Sequence, residues 1–235
     1  MIKALIFDLD GTLIDTLNDI MDAMNQTLVH YQLAPQPMSV YQQLIGGGSK
    51  NMVQCLLSSL CSPASHSLCS LSNADEVYAH YLRYYGHNLI NKTRVYDGII
   101  NALQRWQAQG LKLAVVTNKH HQQALYLLEQ LFDKNKAKDF QFVSIQGLGE
   151  IFPKKPAPDS TLHLLEQLGV TAQEALFIGD TVTDQQTANN AEVEFVFADW
   201  GYGSKAALIQ DESLNVISHI DELELWLACE EESLA

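Results

Sequence analysis

Two aspartates near the start of the chain have a spacing that suits metal binding and proton transfer. Asp8 and Asp10 follow the mostly apolar segment 2–7, which is typical of a parallel strand buried on both faces. Residues two apart in an extended backbone point to the same side, so these carboxylates lie side by side. Neighbouring carboxylates repel each other unless a cation or a proton lies between them. The spacing indicates a site for a hard divalent metal ion, and solvated aspartates at the end of an ordinary strand are the alternative.

The composition limits the classes of partner. The 235 residues include 14 basic and 28 acidic side chains, which gives a formal net charge of −14. Such a charge argues against binding to nucleic acid or to an anionic membrane, and an anionic substrate then needs a local positive site. The sequence has no apolar run of the roughly 18 residues that span a bilayer, and no C-x-x-C pair. We expect a cytoplasmic protein with reduced thiols.

Alternating strand and helix patterns follow in the second part of the chain, and they predict a parallel sheet with helices on both faces. Apolar runs end in polar residues at 111–118 and 175–180, and 194–198 is expected to be the last strand. Asp97 is expected to cap the helix that follows it. Ligands bind beyond the carboxyl ends of such strands, so Thr117, Asn118 and Asp180 should meet the first aspartates at one edge of the sheet.

The segment between the first strand and residue 94 has a different character. Its apolar residues recur at helical spacing, for instance in Asp15 to Leu33, and no convincing strand pattern occurs in it. We predict a small helical domain over 15–93, inserted into an α/β core that consists of 1–14 and 94–235.

Four segments, taken in order, resemble the motifs of the haloacid dehalogenase-like phosphohydrolases: Asp8-Leu-Asp-Gly-Thr12, Thr117-Asn-Lys119, Lys155-Pro-Ala-Pro158 and Gly179-Asp-Thr-Val-Thr-Asp184. The resemblance covers nearly the whole chain. Trp200-Gly-Tyr-Gly203 and Gly46-Gly-Gly48 look most like the phosphoglycolate phosphatase branch. The resemblance implies a Rossmann-like core and identifies the helical insert as a cap domain.

The resemblance also implies roles that make chemical sense. Asp8 is the nucleophile that forms an aspartyl-phosphate, and Asp10 is the general acid and base, with its main-chain carbonyl on the metal. The metal is Mg²⁺, held by Asp8, Asp10 and Asp180. Thr12 and Asp184 are expected to orient the metal ligands. Asp184 could also pair with a lysine or be the N-cap of the following helix.

The remaining predicted contacts concern the substrate. Thr117, Asn118 and Lys155 are expected to bind the phosphoryl group, because a hydroxyl donor and a full positive charge hold its oxygens in place. Ser49 and Lys50 are expected to contact the substrate from the cap. We therefore predict a Mg²⁺-dependent phosphatase that acts on a small phosphorylated metabolite, with 2-phosphoglycolate favoured.

Several alternatives share this scaffold. A phosphosugar mutase would keep both aspartates, but such mutases tend to lack a residue like Thr12, which therefore favours hydrolysis. Nucleoside monophosphate and pyrophosphate phosphatases stay open, because His120 and Asn190-Ala-Glu-Val193 depart from the pattern of the branch. A dehalogenase needs no metal, and a degenerate binding protein would have lost a chemical group that is present here. The sequence leaves the oligomeric state open.

Overall fold

A computed structural model describes residues 1–60, 71–133, 140–149, 151–208, 214–224 and 227. The chain divides into two compact units, one of Met1–Asp15 with Arg94–Ala235 and one of Thr16–Thr93. No helix in these ranges combines the length and the hydropathy needed to cross a membrane. The thiol of Cys55 is free, and the other three cysteines, whose thiols were also expected to be reduced, lie outside the described residues.

A six-stranded parallel sheet forms the centre of the first unit. The strands along the chain are β1 (Ala4–Phe7), β2 (Ile14–Asp15), β3 (Arg94–Val95), β4 (Lys112–His120), β5 (Phe142–Leu148), β6 (Ala175–Gly179), β7 (Glu194–Ala198) and β8 (Asn215–Ile217). The sheet has the order β5-β4-β1-β6-β7-β8, and β2 and β3 form a separate antiparallel pair. The predicted α/β fold is confirmed.

Three short strands were missed in the prediction, namely β2, β3 and β8. The segment 194–198 is a strand but not the last one, because β8 pairs with it further along the chain. With three residues, β8 is too short to produce a recognisable alternating or apolar pattern.

β1 is central in the sheet because all four of its residues are apolar and buried. Leu5 pairs in register with Leu113 of β4 on one side and with Leu176 of β6 on the other. Each fully buried side chain of this size contributes about 1.5–3 kcal/mol relative to exposure. Because β4 and β6 flank β1, the carboxyl ends of all three strands lie next to one another.

The described residues contain eight α-helices: α1 (Leu17–His30), α2 (Met38–Gln42), α3 (Ser49–Leu60), α4 (Leu71–His87), α5 (Ile99–Ala108), α6 (His121–Leu128), α7 (Asp159–Leu168) and α8 (Val182–Asn190). The first four make up the unit Thr16–Thr93. Its two ends are joined by the buried carboxylate of Asp19 on α1, which accepts hydrogen bonds from the main-chain N–H groups of Asn91, Lys92 and Thr93. These charge-assisted bonds compensate the burial of Asp19.

The start of α5 differs from the prediction. The N-cap residue is Gly98, not Asp97, and no side chain caps this end. Gly98 has φ +80°, and a Cβ atom there would lie 2.9 Å from Ile220. Only glycine combines this left-handed backbone with so little space.

Candidate active site

The site is formed where three neighbouring strands end. Asp8 directly follows β1, and Asp180 directly follows β6. Thr117 and Lys119 are among the last four residues of β4. All four residues are buried. The sequence therefore brings polar side chains to the carboxyl edge of the sheet while the strand interiors remain apolar.

Three carboxylates lie together at this edge. Asp8, Asp180 and Asp184 each offer one oxygen, and these oxygens lie within 4.8 Å of one another. Burial raises the pKa of Asp8 to about 6, against the opposing effect of Lys155, and the charges of Asp184 and Asp10 add to the rise. Burial, followed by the charges of Asp184 and Asp8, also raises the pKa of Asp180. The ionised carboxylates of this cluster therefore repel one another unless a cation binds between them.

Lys155 neutralises part of this charge. Its Nζ atom lies 2.8 Å from Oδ1 of Asp8 and 2.6 Å from Oδ1 of Asp184, and it donates to the carbonyl oxygen of Val116 at 3.0 Å. Burial lowers the pKa of Lys155, but the charges of Asp184 and Asp8 raise it by more than burial lowers it. The net shift of the pKa is therefore upward. The lysine stays charged in the interior because two carboxylates surround it.

The donor set fits a divalent cation. Asp8, Asp10, Asp180 and Asp184 bring four negative charges, whereas Lys119 and Lys155 bring two positive ones. Within the described part of the chain, Oδ1 of Asp8 accepts no well-directed hydrogen bond. Carboxylate oxygens are the ligands of hard cations such as Mg²⁺ and Ca²⁺, and one divalent ion would balance the remaining charge.

The carboxylate of Asp180 is fixed by two hydrogen bonds and by two glycines that approach it closely. Oδ1 accepts a hydrogen bond from the hydroxyl of Thr12 at 3.0 Å, and Oδ2 accepts one from the main-chain N–H of Tyr202 at 2.8 Å. A Cβ atom at Gly11 or Gly201 would lie 2.3 Å or 2.2 Å from an atom of the Asp180 side chain. A larger residue at either position must therefore displace the carboxylate. Thr12 thus contacts Asp180 directly, and its role in orienting a metal ligand stays a prediction.

In the sequence, residues 200–203 only indicated a resemblance to the phosphoglycolate phosphatase branch. In the structure, this loop donates hydrogen bonds to the segments around the site. Besides the bond from Tyr202 to Asp180, Nε1 of Trp200 donates to the carbonyl oxygen of Thr12 at 3.1 Å. The hydroxyl of Tyr202 donates to Oδ1 of Asp15 at 3.1 Å. The loop thus fixes the segment after β1. Its glycines next to aromatic residues were the available signal.

Asp184 lies at the N-terminus of α8, but it is not the N-cap, so that alternative is wrong. Thr181 is the N-cap, and Asp184 is the third helical residue of a capping box. Oδ2 of Asp184 accepts bonds from the N–H and the hydroxyl of Thr181, which leaves Oδ1 directed at Lys155. The helix terminus therefore fixes the carboxylate that holds the lysine.

Asn118 connects two of the motifs. Its Nδ2 atom donates to the carbonyl oxygen of Lys155 at 3.1 Å, and its Oδ1 accepts from the N–H of the same residue at 2.8 Å. The side-chain amide is therefore engaged with the main chain of Lys155, and contact with a phosphoryl group stays a prediction. The hydroxyl oxygen of Thr117 accepts a bond from the N–H of Lys119 at 3.3 Å.

Lys119 was not among the predicted site residues. Its buried Nζ atom lies 3.0 Å from both carboxylate oxygens of Asp10. The side chain of Asp10 is thus paired with a lysine, and the predicted metal contact of its main-chain carbonyl stays a prediction. A lysine directly after Thr117 and Asn118, at the polar end of β4, was the available signal, but the sequence alone does not name its partner.

The predicted substrate contacts of the cap belong to the unit Thr16–Thr93. The hydroxyl oxygen of Ser49 lies 3.2 Å from that of Tyr78. Nζ of Lys50 pairs with Asp75 at 2.8 Å, where both side chains are exposed. Their contact with a substrate stays a prediction.

The chain is similar to known proteins over most of its length. A sequence model of the haloacid dehalogenase-like hydrolase family matches residues 5–198. A phosphoglycolate phosphatase of Mesorhizobium japonicum is 31% identical over 224 residues, which are 95% of this chain and 94% of that protein. One of Rhodospirillum rubrum is 33% identical and covers 97% of this chain and 91% of its own. A crystal structure of a predicted phosphoglycolate phosphatase from Haemophilus somnus 129PT has a TM-score of 0.84 at 27% identity, covering 95% and 97% of the two chains.

Proposed function

The chain belongs to the haloacid dehalogenase-like hydrolase family and is a phosphatase, and from this premise we propose that it hydrolyses 2-phosphoglycolate to glycolate and phosphate with Mg²⁺. The substrate is supported by the near full-length similarity to the phosphatases of that name. The mechanism is carried by one observation, which is the buried Asp8 beside Lys155, with carboxylate oxygens of Asp180 and Asp184 within 4.8 Å.

The first step is attack by a carboxylate oxygen of Asp8 on phosphorus. The bond between phosphorus and the glycolate oxygen breaks, and an aspartyl-phosphate forms on Asp8. Asp10 donates a proton to the departing glycolate oxygen, which leaves as a hydroxyl group. Asp10 suits this role because it stands two residues beyond the nucleophile and is only partly buried.

The second step regenerates the enzyme. Asp10, now a carboxylate, accepts a proton from a water molecule, and the water oxygen attacks the phosphorus of the aspartyl-phosphate. The bond between phosphorus and Asp8 breaks, which releases phosphate and restores the carboxylate. Two steps of moderate barrier replace one difficult hydrolysis.

The phosphoryl group requires positive charge and hydrogen-bond donors on its oxygens. The Nζ atom of Lys155 is 2.8 Å from Oδ1 of Asp8, so its ammonium group is close enough to bind a phosphoryl oxygen once the group has been transferred to Asp8. Asp184 and Asn118 hold this lysine through its ammonium group and its main chain, respectively. Thr117 offers a hydroxyl group from the adjacent strand end.

Mg²⁺ would be held by Asp8, Asp180 and the main-chain carbonyl of Asp10, with Asp184 beside them. When bound, it supplies positive charge that offsets the repulsion among the carboxylates and the phosphoryl oxygens. Thr12 and Tyr202 keep Asp180 oriented for this task through their hydrogen bonds. We further propose that Thr16–Thr93 is the cap, that Ser49 and Lys50 contact the substrate, and that the enzyme is cytoplasmic.

A panel of phosphate esters tests the proposed substrate. Purified protein is assayed for phosphate release from 2-phosphoglycolate, sugar phosphates, nucleoside monophosphates and pyrophosphate, with Mg²⁺ and with a chelator. We expect the highest kcat/KM for 2-phosphoglycolate and loss of activity with the chelator. A higher kcat/KM for any other member of the panel would refute the assignment of the substrate.

A further inference from the structure

The site contains a second buried lysine, Lys119, to which the proposed mechanism assigns no contact with the substrate. Lys119 lies at the end of β4, and 4% of its side chain is exposed. Burying an ammonium group is costly unless it serves an anion, and here the anion is Asp10, the proposed proton carrier. We propose that Lys119 binds the carboxylate of the substrate and so selects phosphate esters whose leaving group carries an acid next to the ester oxygen. This proposal rests on the proposed function.

The geometry of the ion pair gives the first argument. Nζ of Lys119 is 3.0 Å from both oxygens of Asp10. Equal distances place the nitrogen on the plane that bisects the two oxygens, in contact with both of them. The leaving oxygen must come within about 2.7 Å of one of these oxygens to receive a proton, so it lies no more than about 6 Å from the ammonium group.

The chemistry of the leaving group gives the second argument. In 2-phosphoglycolate a single methylene group separates the ester oxygen from the carboxyl carbon. A carboxylate this close to the leaving oxygen is within reach of the ammonium group of Lys119. A longer or a neutral leaving group has no anion at that distance. Lys119, which pairs with Asp10, is therefore also placed to bind a carboxylate on the leaving group.

The third argument is that the two buried lysines, Lys155 and Lys119, pair with different aspartates of the site. Lys155 lies against Asp8, on the side of the nucleophile, where the phosphoryl group is transferred. Lys119 lies against Asp10, on the side of the leaving group. A substrate with a phosphate at one end and a carboxylate at the other meets one ammonium group at each end. Because both lysines are shielded from water, such contacts are stronger than at the surface.

The test compares two substrates that differ in one group. Values of kcat/KM are measured for 2-phosphoglycolate and for 2-hydroxyethyl phosphate, in which a hydroxymethyl group replaces the carboxylate. The variants are Lys119→Met and Lys154→Met, since Lys154 is an exposed lysine whose removal changes the net charge equally. We expect Lys119→Met to lower the preference for 2-phosphoglycolate by about 10- to 100-fold, mainly through KM, as for the loss of a hydrogen bond between charged groups. Lys154→Met should keep the wild-type preference.

The outcomes separate the possible failures. An equal loss on both substrates means that Lys119 acts only on Asp10, and it overturns this proposal. A wild-type enzyme without preference for the carboxylated ester instead refutes the proposed substrate. If the methionine variant does not fold, Lys119→Gln carries the same test, because its amide can still donate a hydrogen bond to Asp10 without the charge. A retained preference in Lys119→Gln would likewise overturn the proposal.

Discussion

The ammonium nitrogen of Lys155 lies 2.8 Å from Oδ1 of Asp8, although 147 positions separate the two residues in the sequence, from 8 to 155. This contact decides the state of the nucleophile. Burial raises the pKa of Asp8 to about 6, and Lys155 limits the rise. The carboxylate form, which is the form that attacks phosphorus, therefore prevails at neutral pH even before a metal ion binds.

The raised pKa of Asp8 predicts how metal and pH act on stability. The usual value is 3.8, so the metal-free folded state holds its proton more tightly than the unfolded state does. The stability from this group is fully present below pH about 4 and is lost as the pH rises through about 6. Mg²⁺ stabilises the ionised form. The rise in Tm on adding Mg²⁺ should thus be larger at about pH 7.5 than at about pH 5.

The control for this prediction is Asp8→Asn, which has no carboxylate to titrate at this position. Its metal-free Tm should change less over the same pH range, and it should gain less from Mg²⁺. Thermal unfolding followed by circular dichroism measures both quantities. An equal Mg²⁺ effect at the two pH values in the wild-type protein would show that the ion does not bind to the desolvated carboxylates.

Gly201→Ala should weaken metal binding while the fold is retained. The new Cβ would lie 2.2 Å from Cβ of Asp180, so the carboxylate must move from its position. We expect the Mg²⁺ concentration for half-maximal activity to rise by about tenfold or more, as is typical when the support of a metal ligand is disturbed. Gly149→Ala is the matched control, because the nearest atom to its Cβ is 3.9 Å away. Unchanged metal dependence in Gly201→Ala would contradict the role of this loop.

Asn118→Ala should reduce turnover by releasing the segment that carries Lys155. The change removes two hydrogen bonds to the main chain of that residue and should lower the free energy of unfolding by about 1–3 kcal/mol. We expect kcat/KM to fall by about tenfold or more. Asn190→Ala is the control, because it removes one exposed bond to Pro156 in the same segment. Equal effects of both changes on kcat/KM would count against a special role of Asn118.

The sequence predicts the edge where the site lies because of a simple physical rule. A run of buried apolar residues must end before a charged side chain, and parallel strands all end at the same edge. Asp8, Thr117 and Asp180 follow this rule, and the predicted α/β fold is confirmed. The short strands β2, β3 and β8 do not produce such a pattern, because two or three residues are too few.

The sequence does not predict which groups pair across the site. The contacts of Lys119 with Asp10 and of Tyr202 with Asp180 join residues from separate loops and strand ends, and their geometry depends on strand order and on backbone turns. The capping box of Thr181 with Asp184 is local, and its Thr-x-x-Asp spacing is readable. Whether such a carboxylate also holds a distant lysine is decided only by the folded chain.

Covalent phosphorylation of Asp8 is the most direct test of the mechanism. Enzyme turning over 2-phosphoglycolate with Mg²⁺ is quenched in acid and digested, and the peptides are measured by mass spectrometry, with Asp8→Asn treated in parallel. We expect one added phosphoryl group on the peptide that carries Asp8, none in Asp8→Asn, and no turnover in that variant. Full turnover by Asp8→Asn, or a phosphoryl group on another residue, would contradict it.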